Sequence, residues 1–316
     1  MPRSSETWHP WRIAAFVAIG LLLYAGLFSW SDRVLRAHGS SNPFHKILTA
    51  PGHSDWIVLG ASHAMPLGFA DMPDQIAART GKTVLPLGMT GGGPLIWRLI
   101  AERYFVDHST GAVLIVLDDF GFADPRWNIG RMADVDVLAK IPADWKTVAV
   151  FAAATARSFP VTTLASYATG FARINDQTRF QPDRWEGEDK FESSPRPSDA
   201  ADTARIAFLY PAPMAPQAIS DGLADLSAVI AVAQANDARV VVIRPPLPER
   251  FRRLLPALAG FEPQLLAVLA NHGVEFHDFS QTIPESRFYF DTDHLNRAGV
   301  QRFLDESLAE VMQSGF

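Results

Sequence analysis

The chain predicts an α/β fold: a doubly wound parallel sheet of about five strands, with an N-terminal transmembrane helix and a helical insertion. Three observations predict it. Short aliphatic runs alternate with segments of helical periodicity. One of these runs, Trp56-Ile57-Val58-Leu59, ends in Gly60 with Ser62 two residues on, as a buried strand does on entering a tight turn. The alternation begins only after a long uncharged stretch near the N-terminus.

That stretch runs from Ile13 to Trp30, bounded by Arg12 and Asp32. Its length is near the lower limit of the ~17–25 residues that a spanning helix needs. Trp8, Trp11 and Trp30 stand at its ends, where amphipathic rings anchor at membrane interfaces. It is apolar on all faces, which argues against a core helix, and no small-x-small cleavage site follows Leu27, so residues 1–31 read as an uncleaved anchor. Arg3 and Arg12 precede the run and Arg33 and Arg36 follow it, so charge leaves the orientation open. Residues 32–54 hold Gly, Ser, Asn and Pro and read as a juxtamembrane linker.

The domain proper covers 55–316. Its first strand lies at 56–59, with a helix within 67–79. A second strand at 83–87 leads to a helix at 94–106 that carries Leu95, Leu99 and Ile100 on one face. The third strand, 112–117, is an unbroken aliphatic run suited to the centre of a parallel sheet. From about 119 to 205 the alternation breaks. Helical segments at 135–140 and 147–156 precede a polar stretch, 179–205, and together they read as an insertion over an active site. Trp127, Trp145, Phe180 and Trp185 lie in it, either to stack on sugars or to fill core. Alternation resumes with a helix at 217–235, a strand at 239–243, a helix within 262–271 and a strand at 274–279. A last helix follows Asn296, a natural N-cap, with Val300, Phe303, Leu304 and Leu308 on its core face. Five such strands imply a flavodoxin-like sheet.

Composition narrows the chemistry. The chain has 316 residues, a net charge of −6 and a pI of about 5.8, so no basic surface points to nucleic acid. It has no cysteine, which excludes thiolate catalysis and cysteine-ligated metal. Ser62 sits where open α/β sheets place their chemistry, at a strand's carboxyl end, and is either a nucleophile or a helix cap. Near the C-terminus, Asp291-Thr292-Asp293-His294 can present a carboxylate and an imidazole from one loop. A serine nucleophile needs a histidine to take its proton and a carboxylate to fix the imidazole tautomer.

Gly60-Ala61-Ser62-His63, Leu87-Gly88-Met89-Thr90-Gly91-Gly92 and Asp291-x-x-His294 together resemble the SGNH (GDSL-type) hydrolase superfamily. Gly-x-Ser-His resembles its membrane-anchored branch, which includes the proteins of alginate O-acetylation and teichoic-acid D-alanylation. The resemblance implies Ser62 as nucleophile, His294 as general base and Asp291 as the orienting carboxylate. Asp293 competes for that last role, or only caps the final helix. It also implies an oxyanion hole from the N–H groups of Ser62 and Gly91. The chain departs from the pattern at Leu117-Asp118-Asp119-Phe120, where many members carry an asparagine that completes the hole. An ionised carboxylate would repel an oxyanion, so either these residues point elsewhere or the hole is built differently. Candidate substrate contacts are His63, Thr90, Asp118 and Arg244. His63 can instead cap a helix, and Arg244 can be a surface arginine beside a proline turn.

The implied function is serine-dependent transfer of an acetyl or similar acyl group, to or from hydroxyls of a cell-envelope polysaccharide, without cofactor or metal. The implied partner is a membrane-bound O-acyltransferase. The implied location is the inner (cytoplasmic) membrane, single-pass, with the domain outside the cytoplasm. The alternatives are an anchored esterase or lipase acting on small esters, and a non-catalytic scaffold subunit.

Overall fold

The structure, a computed structural model, describes residues 10–156, 159–181, 183–212 and 216–314. Arg3 and Trp8, read above as flanking charge and interface anchor, lie outside them. The chain starts with helix α1, Pro10–Ala37, and α2, Pro43–Thr49. Then come β1, His53–Gly60; α3, Met72–Thr80; β2, Val84–Pro86; α4, Pro94–Tyr104; and β3, Ser109–Val116. The insertion adds α5, Ile129–Ala133; α6, Val135–Ala139; α7, Trp145–Thr155; α8, Val161–Thr169; α9, Phe171–Asn175; and α10, Asp199–Leu209. The α/β pattern closes with α11, Pro216–Ala235; β4, Arg239–Arg244; α12, Glu249–Arg252; α13, Phe261–Asn271; and β5, Glu275–Asp278. The last helix, α14, Arg297–Phe303, runs through a π turn at Leu304–Leu308 into α15, Ala309–Gln313.

Among the described residues the strands form one parallel sheet in the order β2-β1-β3-β4-β5. This is the flavodoxin-like order, and all five strands lie where the aliphatic runs placed them. Alternate residues of the central strands face opposite layers. Ile57, Leu59, Val113 and Ile115 pack with Trp97, Ile100, Leu226 and Ile230 of α4 and α11. Trp56, Val58, Leu114 and Val116 pack with Met72 and Ile76 of α3 and Val300 and Leu304 of the last helix. The order reverses between β1 and β3, and open α/β sheets bind ligands in the crevice beyond such a reversal.

Among the described residues two helices are long and apolar enough to cross a membrane. In α11 the residues Leu226, Val229, Ile230 and Ala233 are fully buried, so it is a core helix. In α1 the apolar side chains from Ile13 to Leu23 are exposed.

Residues 32–54, expected as a linker, are folded instead. α1 continues to Ala37, and Asn42 caps α2 through a bond from the Phe44 N–H (3.0 Å). Phe44 and Ile47, one turn apart, bury in the core beside α4. The expected loop at 179–205 also ends in structure, because α10 begins at Asp199. Its Ser198 cap accepts from the Ala201 N–H, and Asp199 and Asp202 suit the first turn. After β1 the chain makes a 3-10 turn, Ser62–Gly68, before α3, with Pro66 inside it.

Gly60 turns the chain out of β1 at φ +155°, and a Cβ there would stand 2.8 Å from both the Ala64 Cβ and the Val116 carbonyl oxygen. Gly60→Ala should therefore cost about 2–5 kcal/mol, from backbone strain and overpacking together. Chemical denaturation of the full chain in detergent measures it, and a change under about 1 kcal/mol would contradict this packing.

Candidate active site

The Asp-x-x-His loop is shaped by its own backbone. Tyr289 and Leu295 form an antiparallel bridge, and the Phe290 N–H donates to the His294 carbonyl (2.9 Å). Asp291 Oδ1 accepts from the N–H groups of His294 (2.9 Å) and Asp293 (3.1 Å). The His294 ring donates from Nδ1 to Asp291 Oδ2 at 2.8 Å. One carboxylate thus holds both the loop and the ring, and leaves Nε2 as the imidazole's acceptor. Burial raises the Asp291 pKa, but the facing His294 outweighs it and the carboxyl sits below its ordinary value. Phe290 stacks on the imidazole at 5.6 Å, and Trp185 from the insertion meets it edge-on at 4.8 Å.

Ser62 opens the 3-10 turn at β1's carboxyl end and is only 2% exposed, not an exposed turn residue. Among the described residues no hydrogen bond links it to His294. The next residue bridges that space: the His63 ring stacks on His294, centroids 4.7 Å apart and planes 27° apart. The N–H groups of Ser62 and Gly91 have no acceptor among the described residues. Gly91 holds φ +66°, and a Cβ there would press on the Trp127 ring at 3.2 Å.

Asp118 does not face the site as a bare carboxylate. It accepts from His63 Nδ1, and it is buried. His63 Nε2 stands 3.4 Å from Asp293 Oδ2 without a well-aligned acceptor. Burial opposes charge on His63, but Asp118 and then Asp293 outweigh it and raise its pKa to about 10. Asp293 is 0% exposed. Arg205 Nε reaches both its oxygens, at 3.2 and 3.1 Å, and Thr292 donates to Oδ1 at 2.7 Å. Burial raises the Asp293 pKa, yet His294, Arg205 and His63 together hold it well below the ordinary carboxylate range. Asp293 is not the cap of the last helix: Asn296 is, accepting from the Gly299 N–H at 2.9 Å. Arg205 Nη2 also lies 3.4 Å from His294 Nε2. His63, Asp293 and His294 bring ligand-type atoms within 4.8 Å of one another, and these are the residues that could hold a metal. The cation set on their carboxylate here is the Arg205 guanidinium.

The remaining candidates lie around this centre. Asp119 pairs with Arg244 Nε (3.2 Å), and burial pushes its carboxyl up to about 6 against that pairing. Arg244 also meets Glu262 Oε2 (2.6 Å) and Asp278 Oδ2 (3.1 Å), so three carboxylates already hold the proposed anion contact. Thr90 donates its hydroxyl to Met65 Sδ (3.0 Å), and its carbonyl accepts from Arg131 Nε (2.9 Å). A cavity of about 200 Å³ opens beside His63, lined by Asp118, Phe120, Tyr210, Arg244 and Phe251. Of the insertion's aromatics, Trp185 reaches the site, Trp127 packs on Phe120, and Trp145 and Phe180 are exposed. Arg205 was not legible as a site residue, because nothing in its spacing ties α10 to a loop nearly ninety residues on.

No protein-family model matches the chain, and no curated protein matches it. Among solved structures it is similar to a crystal structure described as a "putative acylhydrolase" from Bacteroides fragilis. The two share 9% identity with a TM-score of 0.37, over 83% of this chain and 88% of that one. A likeness this slight carries no argument about activity.

The His63 assignment has a pH consequence. Its pKa rises on folding from the ordinary 6.5 to about 10, so its contribution to stability is complete below about 6.5 and is lost as pH rises through about 10. The unfolding midpoint of the full chain should fall across that window, and His63→Gln should flatten the fall. Parallel curves for the two proteins, from denaturation at a series of pH values, would contradict it.

Proposed function

We propose that the chain is a membrane-anchored serine acyl-transfer enzyme of the SGNH type, acting on O-acyl groups of an envelope polysaccharide outside the cytoplasm. The observation that carries this reading is the Asp291–His294 pair, whose imidazole stacks on His63, the residue that follows Ser62. In the proposed cycle Ser62 Oγ bonds to the acyl carbon while its proton passes to His294 Nε2. The carbonyl π pair moves onto oxygen, facing the N–H groups of Ser62 and Gly91. Collapse breaks the bond to the leaving alkoxide, which takes the proton from His294. A sugar hydroxyl or water then enters by the reverse path and frees Ser62.

Two features of the site favour this cycle. Three carboxylates, Asp118, Asp291 and Asp293, face two cations, His63 and Arg205, so a proton on His294 brings the cluster to neutrality. The second concerns the family's asparagine. Its replacement, Asp118, supports His63, and the His63 Nε2–H can serve as the donor that the amide provides elsewhere. The apolar N-terminal helix supports the anchor, and the resemblance of the motifs supports the extracytoplasmic location and a membrane-bound O-acyltransferase as the source of acyl groups.

Kinetics with an activated acetyl ester test the cycle. Ser62→Ala should abolish turnover. His294→Ala and Asp291→Asn should each lower kcat by about 10²–10⁴-fold through loss of the base or of its tautomer. His63→Gln should lower it by about 10²-fold, as the loss of one oxyanion donor does. Turnover that survives Ser62→Ala would exclude Ser62 as the nucleophile, and no turnover by the unaltered chain would favour the scaffold reading. An acetylated oligosaccharide acceptor among the products marks a transferase, and free acetate alone marks the esterase.

A further inference from the structure

The anchor helix is too short for any of its apolar length to stand beside a water-exposed domain, and yet its last two turns, still largely exposed, touch the insertion on one side. Its uncharged run, 13–30, spans ~27 Å at 1.5 Å per residue. A bilayer's hydrocarbon core is ~30 Å thick. The last two turns of the run nevertheless pack on the insertion. The Tyr24 hydroxyl donates to the Thr169 carbonyl (3.1 Å). The Phe28 ring lies so close to Gly170 that a Cβ there would stand 2.5 Å from it, and the Arg173 guanidinium lies over the same ring at 5.0 Å. Trp30 meets the Phe180 ring at 6.2 Å and Arg179 at 4.9 Å. If 24–30 stood clear of the bilayer, the remaining run, 13–23, would reach only ~16 Å, about half of what spanning needs.

The insertion's own surface resolves the conflict. Outside α1, the four most exposed large apolar side chains among the described residues are Trp145 (74%), Val161 (68%), Phe180 (67%) and Phe171 (56%). All four lie in or beside α7, α8 and α9. Between Thr147 and Ala172 the sequence holds a single charged residue, Arg157. The outward positions of α8 are Val161, Thr162, Ala165, Ala168 and Thr169, and Gly170, at φ +74°, turns the chain sharply into α9. Helices meet the requirement that backbone polar groups be paired internally where lipid replaces water.

Taking α1 as the anchor, the geometry points to α7, α8 and the α8–α9 corner as a second membrane-embedded element, immersed beside residues 24–30 of α1 in the same leaflet, with lipid acyl chains as its partner. This places the insertion between bilayer and active site, since the same insertion also supplies Trp185 and Arg205 to His294 and Asp293.

The chain's lack of cysteine makes the test direct. Single variants Val161→Cys, Phe171→Cys, Leu23→Cys and Leu266→Cys change exposed positions, carry a bimane label, and are reconstituted as full chains in phosphatidylcholine vesicles with doxyl-labelled lipid. Leu23 reports the anchor and Leu266, on α13, reports water. The expected result is loss of fluorescence at 161 and 171 as strong as at 23, with none at 266. Quenching at 23 with 161 and 171 as bright as 266 would overturn the embedded element while leaving the anchor in place. An unquenched Leu23 position would overturn the anchor itself, and this element with it. Ser62-dependent turnover, measured separately, is touched by neither outcome.

Discussion

The arrangement around Asp293 is the constraint from which the rest of the site follows. A carboxylate with no exposure costs several kcal/mol to bury unless cations and donors surround it. Here Arg205 comes from the insertion, His63 from the turn after β1, and His294 and Thr292 from the same loop. His63 in turn keeps its charge because Asp118, just past the end of β3, holds its other nitrogen and Asp293 faces the first. One buried charge therefore ties four separate parts of the chain to a common point.

The sheet makes that convergence possible. β1 and β3 lie side by side at its centre, so the residues that follow them, Ser62, His63 and Asp118, emerge together at the reversal of strand order. The last loop closes over the same end because α14 packs on the layer that holds Trp56 and Val58. The insertion completes the enclosure, and Ser62, His294 and Asp293 are buried within it. A site closed in this way limits the access of water to Ser62 and His294, which the proposed transfer to a sugar hydroxyl would need.

Much of this could be read from the sequence. Continuous aliphatic runs such as 112–117 occur where strands are buried on both faces, and the three inner strands of the sheet are such runs. The Asp291–His294 pairing was legible because three residues of a single loop fix it locally. What stayed hidden depends on contacts between distant segments. Asp118 looked like an obstacle to an oxyanion, since its partner His63 lies 55 residues away. Asp293 looked like a helix cap because its partners, Arg205 and His63, come from other elements. Residues 32–54 and 199–205 looked like connections because polar residues outnumber the few apolar ones that bury. The motif resemblance implied roles for Ser62 and Gly91 that no local pattern of residues could have fixed.

The central claim is that Ser62 is the nucleophile of this enclosed centre, and a fluorophosphonate probe tests it most directly. The full chain in detergent is treated with the probe, digested, and its modified peptide sequenced by mass spectrometry. The account predicts one stoichiometric adduct on Ser62, with labelling slowed by His294→Ala. An adduct on any other residue, or an unlabelled protein whose fold is intact, would contradict it.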